Sequence, residues 1–359
     1  MEYILNDVLE IKNGKNQKAV ENSEGQYPIY GSGGVIGYAD DYICDADTVV
    51  IGRKGSINNP IYVSEPFWNV DTAFGLVARR EVLLPRYLFY FCKKFDFEKL
   101  NKTVTIPSLT KSDLLNIKIK LPDIDEQQLV VDKLIRIESV MEFRKQELNV
   151  LDNLIKARFV EMFGDPRSNP FGFEKKRLKD TCKVITGNTP SRAIEEYYGD
   201  YIEWIKTDNI VSGILNPTQA TESLSEKGMN VGRTVEKDSI LMACIAGSIA
   251  SIGRVCITDR TVAFNQQINA VVPEQYNILF LYVLFQMSKD YLVEDINMAL
   301  KGILSKSKLE EKEFIIPPMD LQEQFSDFVK QVDKSKVAVQ KALDETQMLF
   351  DSLMQKYFA

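Results

Sequence analysis

Apolar residues recur at alternating steps of four and three at Val130, Leu134, Ile137, Met141, Leu148, Leu151 and Ile155, with one polar break at Arg144. No proline or glycine interrupts residues 127–162. The spacing predicts one uninterrupted helix with the narrow seam of a coiled coil. A second stretch, from Leu321 to about Phe358, offers Phe325, Phe328, Val332, Val339, Ala342, Leu349 and Leu353, with polar breaks at Ser335 and Thr346. A lone helix with such a stripe is not stable in water, so the two are expected to pair. Elsewhere the pattern shortens. Thr48 to Ile51 and Ser239 to Met242 read as strands, each followed by a Gly-Ser-Ile turn, Gly55-Ser56-Ile57 and Gly247-Ser248-Ile249. Pro85 to Phe91 and Leu279 to Phe285 read as apolar helices.

The chain says one thing twice. Leu109-Thr110-Lys111-Ser112-Asp113-Leu114 is echoed by Leu304-Ser305-Lys306-Ser307-Lys308-Leu309, 195 positions later. Each echo leads into an apolar run, a proline (Pro122; Pro317-Pro318), a Glu-Gln pair (Glu126-Gln127; Glu323-Gln324) and a long helix. A repeat of this size excludes a solenoid of short units and predicts two mixed α and β modules. Because each helix leaves a different module, pairing along the seam makes the helices antiparallel and sends the modules to opposite ends of a rod. About 33 helical residues span roughly 50 Å, enough to reach two grooves of B-DNA about one turn apart. The alternative is a dimerisation stalk, which gives no reason for the duplication.

Composition narrows the chemistry. The 359 residues are 45% hydrophobic and 26% charged, an ordinary balance for two cores, and no apolar run approaches the length of a membrane helix. With no leader-like segment at Met1, a cytosolic protein is expected. The five cysteines form no C-x-x-C pair and lie in apolar surroundings, as buried free thiols do. There is no histidine, which removes imidazole as base or zinc ligand. No phosphate loop is present. Gly31-Ser32-Gly33-Gly34-Val35-Ile36-Gly37 imitates a dinucleotide loop, but no helix-forming run follows, so a glycine-rich hairpin is expected. Asp165, Glu174 and Lys176 lack a metal-binding context and read as a solvated linker. The net charge is −7, but the modules are near neutral, with 15 basic and 15 acidic residues over 1–122 and 16 and 18 over 176–318. Nucleic-acid binding then depends on a local basic face.

Several strings carry a family likeness. They are Tyr30-Gly31-Ser32-Gly33-Gly34 with Ile51-Gly52-Arg53-Lys54-Gly55-Ser56, and Ile185-Thr186-Gly187-Asn188-Thr189-Pro190-Ser191 with Trp204-Ile205-Lys206. To these add the doubled proline and Glu-Gln punctuation and the junction Arg158 to Pro166. In this order they resemble the specificity subunit of a type I restriction-modification system over nearly the whole chain. The resemblance implies an α+β fold: two similar target-recognition domains separated by two long antiparallel coiled-coil helices, with pseudo-twofold symmetry. The first domain would take residues 1–122, the first spacer helix 123–163, a linker and the second domain 164–318, and the second helix 319–359. Compared with longer members, little precedes the first module.

The resemblance also implies a non-catalytic subunit that recognises double-stranded DNA at a split, asymmetric site. Its partners would be two methyltransferase subunits and, where the system has them, two motor-nuclease restriction subunits. S-adenosylmethionine, ATP and Mg would sit on those partners and no cofactor on this chain. Ile316-Pro317-Pro318-Met319 accordingly lacks the polar and aromatic ends of an adenine-transferase motif. Candidates for DNA contact, chosen for their donors and acceptors beside turns, are Arg53, Lys54, Ser56 and Asn58 in the first module. In the second they are Ser191, Arg192, Lys206, Asn209 and Arg254. Each stands against a plainer role as a solvated charge or turn-stabilising amide. A protein-binding adaptor and a self-contained restriction or modification enzyme are the competing classes.

Overall fold

The computed structural model describes residues 1–103, 106–296 and 302–359. The chain divides into two compact units, Met1–Lys145 with Lys341–Ala359, and Gln146–Gln340. The long helices run Ile124–Phe163 and Met319–Phe358, 40 residues each, so each helix gives one half to each unit. The second begins directly after Pro318, whereas the first follows Pro122 by one residue, Asp123, whose Oδ1 accepts from Glu126 N at 2.8 Å.

The first unit holds an antiparallel four-stranded sheet with Leu9–Asn13, Ala73–Ala78, Thr48–Gly52 and Ile61–Val63 side by side. The second repeats that order with Cys182–Thr186, Ile268–Pro273, Ile240–Ala243 and Val255–Ile257. Each unit adds a small sheet containing one parallel pair, Ile29 opposite Trp68 in the first and Trp204 opposite Ala263 in the second. The helices Pro85–Lys94 and Ile278–Met287 supply core residues, Leu88 and Leu284 among them, both fully buried. Two short ladders complete the repeat, Glu2–Ile4 on Lys118–Lys120 and Lys175–Arg177 on Glu313–Ile315.

The echoed hexapeptide has a local cause. Leu109 donates its N–H to the Arg53 carbonyl and Leu304 donates to Cys244, both at 2.9 Å. The next residue caps a short helix: Thr110 Oγ1 accepts from Asp113 N, and Ser305 Oγ accepts from Lys308 N. Leu114 and Leu309 are then fully buried.

The glutamine after each proline is a clamp. Gln127 Oε1 accepts from Leu84 N at 2.9 Å, while its Nε2 donates to the Val82 and Pro122 carbonyls. Gln322 repeats this, accepting from Asn277 N and donating to the Pro317 carbonyl. Leu84 and Asn277 are the N-cap residues of the two apolar helices, so each clamp ties a core helix to the root of a long one. The equivalent of Gln127 is therefore Gln322 rather than Gln324, which is exposed.

The first helix keeps its expected seam. Val130, Leu134, Met141 and Ile155 are buried, and Ile137, Leu148 and Leu151 are half-buried. The second departs from expectation in three places. Val329 and Phe350 are buried where Phe328 and Leu349 were expected, and Leu343 packs against the first core in preference to Ala342. Phe328 is half-buried, whereas Leu349 is 51% exposed. Phe325, Val332, Val339 and Leu353 remain inward or half-buried. The reason is that both helices serve module cores. Phe350 packs by Tyr90, their rings 6.4 Å apart, and Phe325 joins Phe159, Phe163 and Phe280.

The helix segments run antiparallel. In the second unit Phe159 meets Phe325, and seven residues earlier Asp152 meets Lys336, with Oδ1 and Nζ 2.6 Å apart. In the first unit the polar breaks find each other: the Arg144 guanidinium donates to the Thr346 hydroxyl and the Ala342 carbonyl. A half-buried charge at a seam position fixes register at some cost in stability.

All five cysteines are free and buried. Burial pushes the thiols of Cys44, Cys182, Cys244 and Cys256 up to about 12 and raises that of Cys92. Among the described residues no helix is long and apolar enough to cross a membrane.

Candidate nucleic-acid interface

Register brings three loops of each module to one end of its sheet. In the first, Asn13 lies opposite Phe74 and Gly52 opposite Ala73, so the loops after Asn13, after Gly52 and before Ala73 converge. In the second, Thr186 lies opposite Asn269 and Ala243 opposite Ile268, gathering the equivalent loops.

A glycine anchors the first loop in both modules. A Cβ on Gly14 would stand 1.8 Å from the Val70 carbonyl oxygen, and one on Gly187 would stand 2.1 Å from that of Asn265. Only glycine allows these strands so close. The loops themselves then face water, with Lys15 and Lys18 exposed in one module and Ser191 and Arg192 in the other. Lys15 and Lys18 were missed in the sequence; the signal was Asn13-Gly14 standing where Thr186-Gly187 stands in the repeat.

The second loop holds Arg53, Lys54 and Ser56, all exposed. Arg53 and Lys54 donate their backbone N–H groups to the Thr72 carbonyl, and Gly55, at φ +84°, donates to Pro107. The Arg53 guanidinium lies 5.7 Å from the Phe74 ring centroid. The two glycine strings of this module meet here. Residues Tyr27–Gly31 and Gly34–Ala39 form a hairpin, as expected, and its tip residue Ser32 packs on the turn at Gly52.

Asn58 is exposed too, but its amide is already engaged. Its Oδ1 accepts from Phe97 N at 2.7 Å and its Nδ2 donates to Asp96, which holds the turn beginning at Phe97. Asn209 is engaged and also internal: it is 7% exposed, accepts from Lys206 N, and donates to Thr218 Oγ1 and the Gln219 carbonyl. Arg254 is half-buried and donates to the Ser251 and Thr207 carbonyls. These three act as turn-stabilising groups.

The second module differs where the first is most basic. Cys244 and Ile245 donate to the Gln267 carbonyl as Arg53 and Lys54 do to Thr72, so no cation stands at that place. The turn is also longer than its sequence echo suggested. Ile249 is 43% exposed, and Ile252 is the buried residue matching Ile57. Its cations lie instead around one acid. Arg192 Nη2 is 2.6 Å from Glu222 Oε2, and Lys206 Nζ bonds the other oxygen. Both cations also approach the Trp204 ring, at 5.4 and 5.2 Å. Lys206 first, and Arg192 with it, hold the Glu222 carboxyl below the usual carboxylate range.

Asp165 caps its own turn by accepting from Arg167 and Ser168 N–H groups, and Glu174 pairs with Lys176 at 3.7 Å. Among the described residues no cluster of acids and cysteines has the make-up of a metal site.

Two units, each presenting loops from one end of an equivalent sheet and each rooted on the same two helices, define a duplicated recognition protein. The model of the type I restriction modification DNA specificity domain matches residues 1–153 and 170–346. The chain belongs to that family. It is 24% identical over 333 residues to the type I restriction enzyme MjaIX specificity subunit of Methanocaldococcus jannaschii, covering 85% of this chain and 74% of that one. It is 35% identical over 117 residues to the HindI specificity subunit of Haemophilus influenzae, covering 32% of this chain and 24% of that one. The crystal structure of the S subunit from M. genitalium shares the fold, with a TM-score of 0.63 at 16% identity, covering 100% and 96% of the two chains. The protein is thus a DNA-recognition subunit of a type I restriction-modification system.

Proposed function

We propose that each module reads one half of a split, asymmetric DNA site. One observation carries this: equivalent loop ends bear different side chains, Arg53 and Lys54 in one module against Cys244 and Ile245 in the other. Two copies of one reader would need no such divergence. Arg53, Lys54, Ser56, Ser191, Arg192 and Lys206 remain the proposed contacts, joined by Lys15 and Lys18. Lysines and arginines at such places chiefly position the phosphate backbone.

The chain acts without catalysis of its own, in the cytoplasm. Methyl transfer, with S-adenosylmethionine, takes place on two methyltransferase subunits, and cleavage, with ATP and Mg, on two restriction subunits where the system has them. Exposed Leu129, Val140, Phe143, Val150 and Leu154 along the first helix support docking of a partner there.

The test is to co-express the chain with its methyltransferase and map N6-methyladenine by single-molecule sequencing. A split motif is expected, with one half changed by exchanging residues 1–122 and the other by exchanging 176–318. Seven residues inserted into each long helix add two turns, about 10 Å, and keep the seam in phase. The spacer should lengthen by about three base pairs. An unsplit motif, or an unchanged spacer, would overturn the reading.

Charge gives a further expectation. Glu222→Gln removes the anion that competes with phosphate for Arg192 and Lys206. Affinity for non-specific DNA should rise several-fold at low salt, with a steeper dependence on salt. Fluorescence anisotropy over a salt series checks this; an unchanged slope would place both cations away from DNA.

A further inference from the structure

Most glycines here have an internal reason. Gly14, Gly52 and Gly187 stand against backbone, and Gly34, Gly55 and Gly253 have positive φ. Gly33 and Gly247 have neither. Among the described residues a Cβ on either would meet nothing within 4 Å, and neither has a φ in the left-handed region. Nothing among the described residues asks for glycine at these places. Glycine also weakens a fold through the freedom it leaves the unfolded chain, so an unneeded one is a cost without an internal return.

Both sit at the loop end of their sheets. Gly33 follows Ser32, whose side chain packs on Gly52 beside exposed Arg53 and Lys54. Gly247 lies in the turn that begins at Ile245, whose N–H bonds Gln267 next to exposed Gln266. On the strand after Gly33, Val35 and Ile36 are 50% and 57% exposed, apolar groups suited to the methyl edge of thymine. The two glycines occupy different loops, the hairpin tip in one module and the turn in the other, so they are not a relic of the duplication.

Resting on the reading that these loop ends face DNA, we propose that the main chain at Gly33 and at Gly247 lies directly against the nucleic acid, where a Cβ would collide with it. A main chain without a Cβ can bring its N–H groups to base edges or phosphate at a distance no side chain would allow. DNA is favoured over a protein occupant in the first module by the neighbouring cations Arg53, Lys54, Lys15 and Lys18, all exposed at the same end.

The experiment uses the full chain assembled with its methyltransferase and compares Gly33→Ala and Gly247→Ala with the unaltered complex. Assembly should not change and the melting temperature should hold or rise slightly, since both sites are open among the described residues. Affinity for the cognate duplex should fall about tenfold or more for each variant, and the larger Gly33→Val and Gly247→Val should fall further. Gly52→Ala is the contrast, because its Cβ would lie 2.4 Å from the Ser56 carbonyl oxygen and should lower the melting temperature. Unchanged DNA affinity in both alanine variants overturns the inference while the DNA-recognition reading stands. Lost assembly with the methyltransferase at unchanged melting would assign the surface to a protein and overturn it too. An unaltered complex that prefers no DNA sequence would instead sink the reading beneath it.

Discussion

Gln127→Ala is expected to lower the stability of the first unit by about 2 to 4 kcal/mol, because it strands three half-buried backbone groups at once. Leu84 N loses its acceptor, and the Val82 and Pro122 carbonyls lose their donor, in a place where the side chain is fully buried. The neighbouring Gln128→Ala should have little effect, since that side chain is exposed and bonds Asp132 at 2.7 Å. Gln127→Glu separates the two halves of the clamp. A carboxylate still accepts from Leu84 but cannot donate, and burial raises its pKa in the folded state above the unfolded value. The folded chain then binds the proton more tightly, so this variant should gain stability as pH falls through its raised pKa. Urea unfolding of the three variants between about pH 5 and pH 8, a window that spans a carboxyl raised by burial, tests the set. A Gln127→Ala midpoint equal to that of Gln128→Ala would remove the clamp from the account.

Gly187→Ala is expected to damage the second module's loop end by several kcal/mol of local strain, since the new Cβ must displace the Asn265 backbone by more than an ångström. Gly14→Ala should do the same in the first module through Val70. In the assembled complex each change should abolish cognate methylation, and hydrogen exchange should rise in the altered module while the other stays protected. Protection unchanged in both modules would mean that the loops have slack. The contrast with Gly33 and Gly247 then separates glycines the fold requires from glycines the ligand requires.

Much of the architecture was legible because the repeat is local in its causes. A hydroxyl at Thr110 or Ser305 caps the turn three residues on, and a leucine before it reaches a neighbouring strand. The offset of 195 also holds beyond the echo, from Gln127 to Gln322, Leu134 to Val329 and Ile155 to Phe350. Carrying it along the helix would have found Val329, Leu343 and Phe350 in place of Phe328, Ala342 and Leu349. Judging each seam by its own apolar residues hid this, because the second helix offers apolar side chains on several faces. The site was less legible. Asn58 looks like a free amide until Phe97, 39 residues later, donates to it. Arg192 and Lys206 look like independent cations until Glu222, 30 and 16 residues on, joins them. Such pairings are set by the fold and leave no local spacing to read.

The division of the long helices between units has a consequence for biosynthesis. Residues 146–340 are contiguous and contain every part of the second unit, including its two helix segments. The first unit, although its module is made first, lacks Phe350 and Met354 from its core until residues 341–359 have left the ribosome. Nascent chains ordinarily settle from the N-terminus onward. Here the order of completion is reversed: the later-synthesised module can close while the earlier one waits, with Met141 and Tyr90 uncovered, for the last turns of the chain.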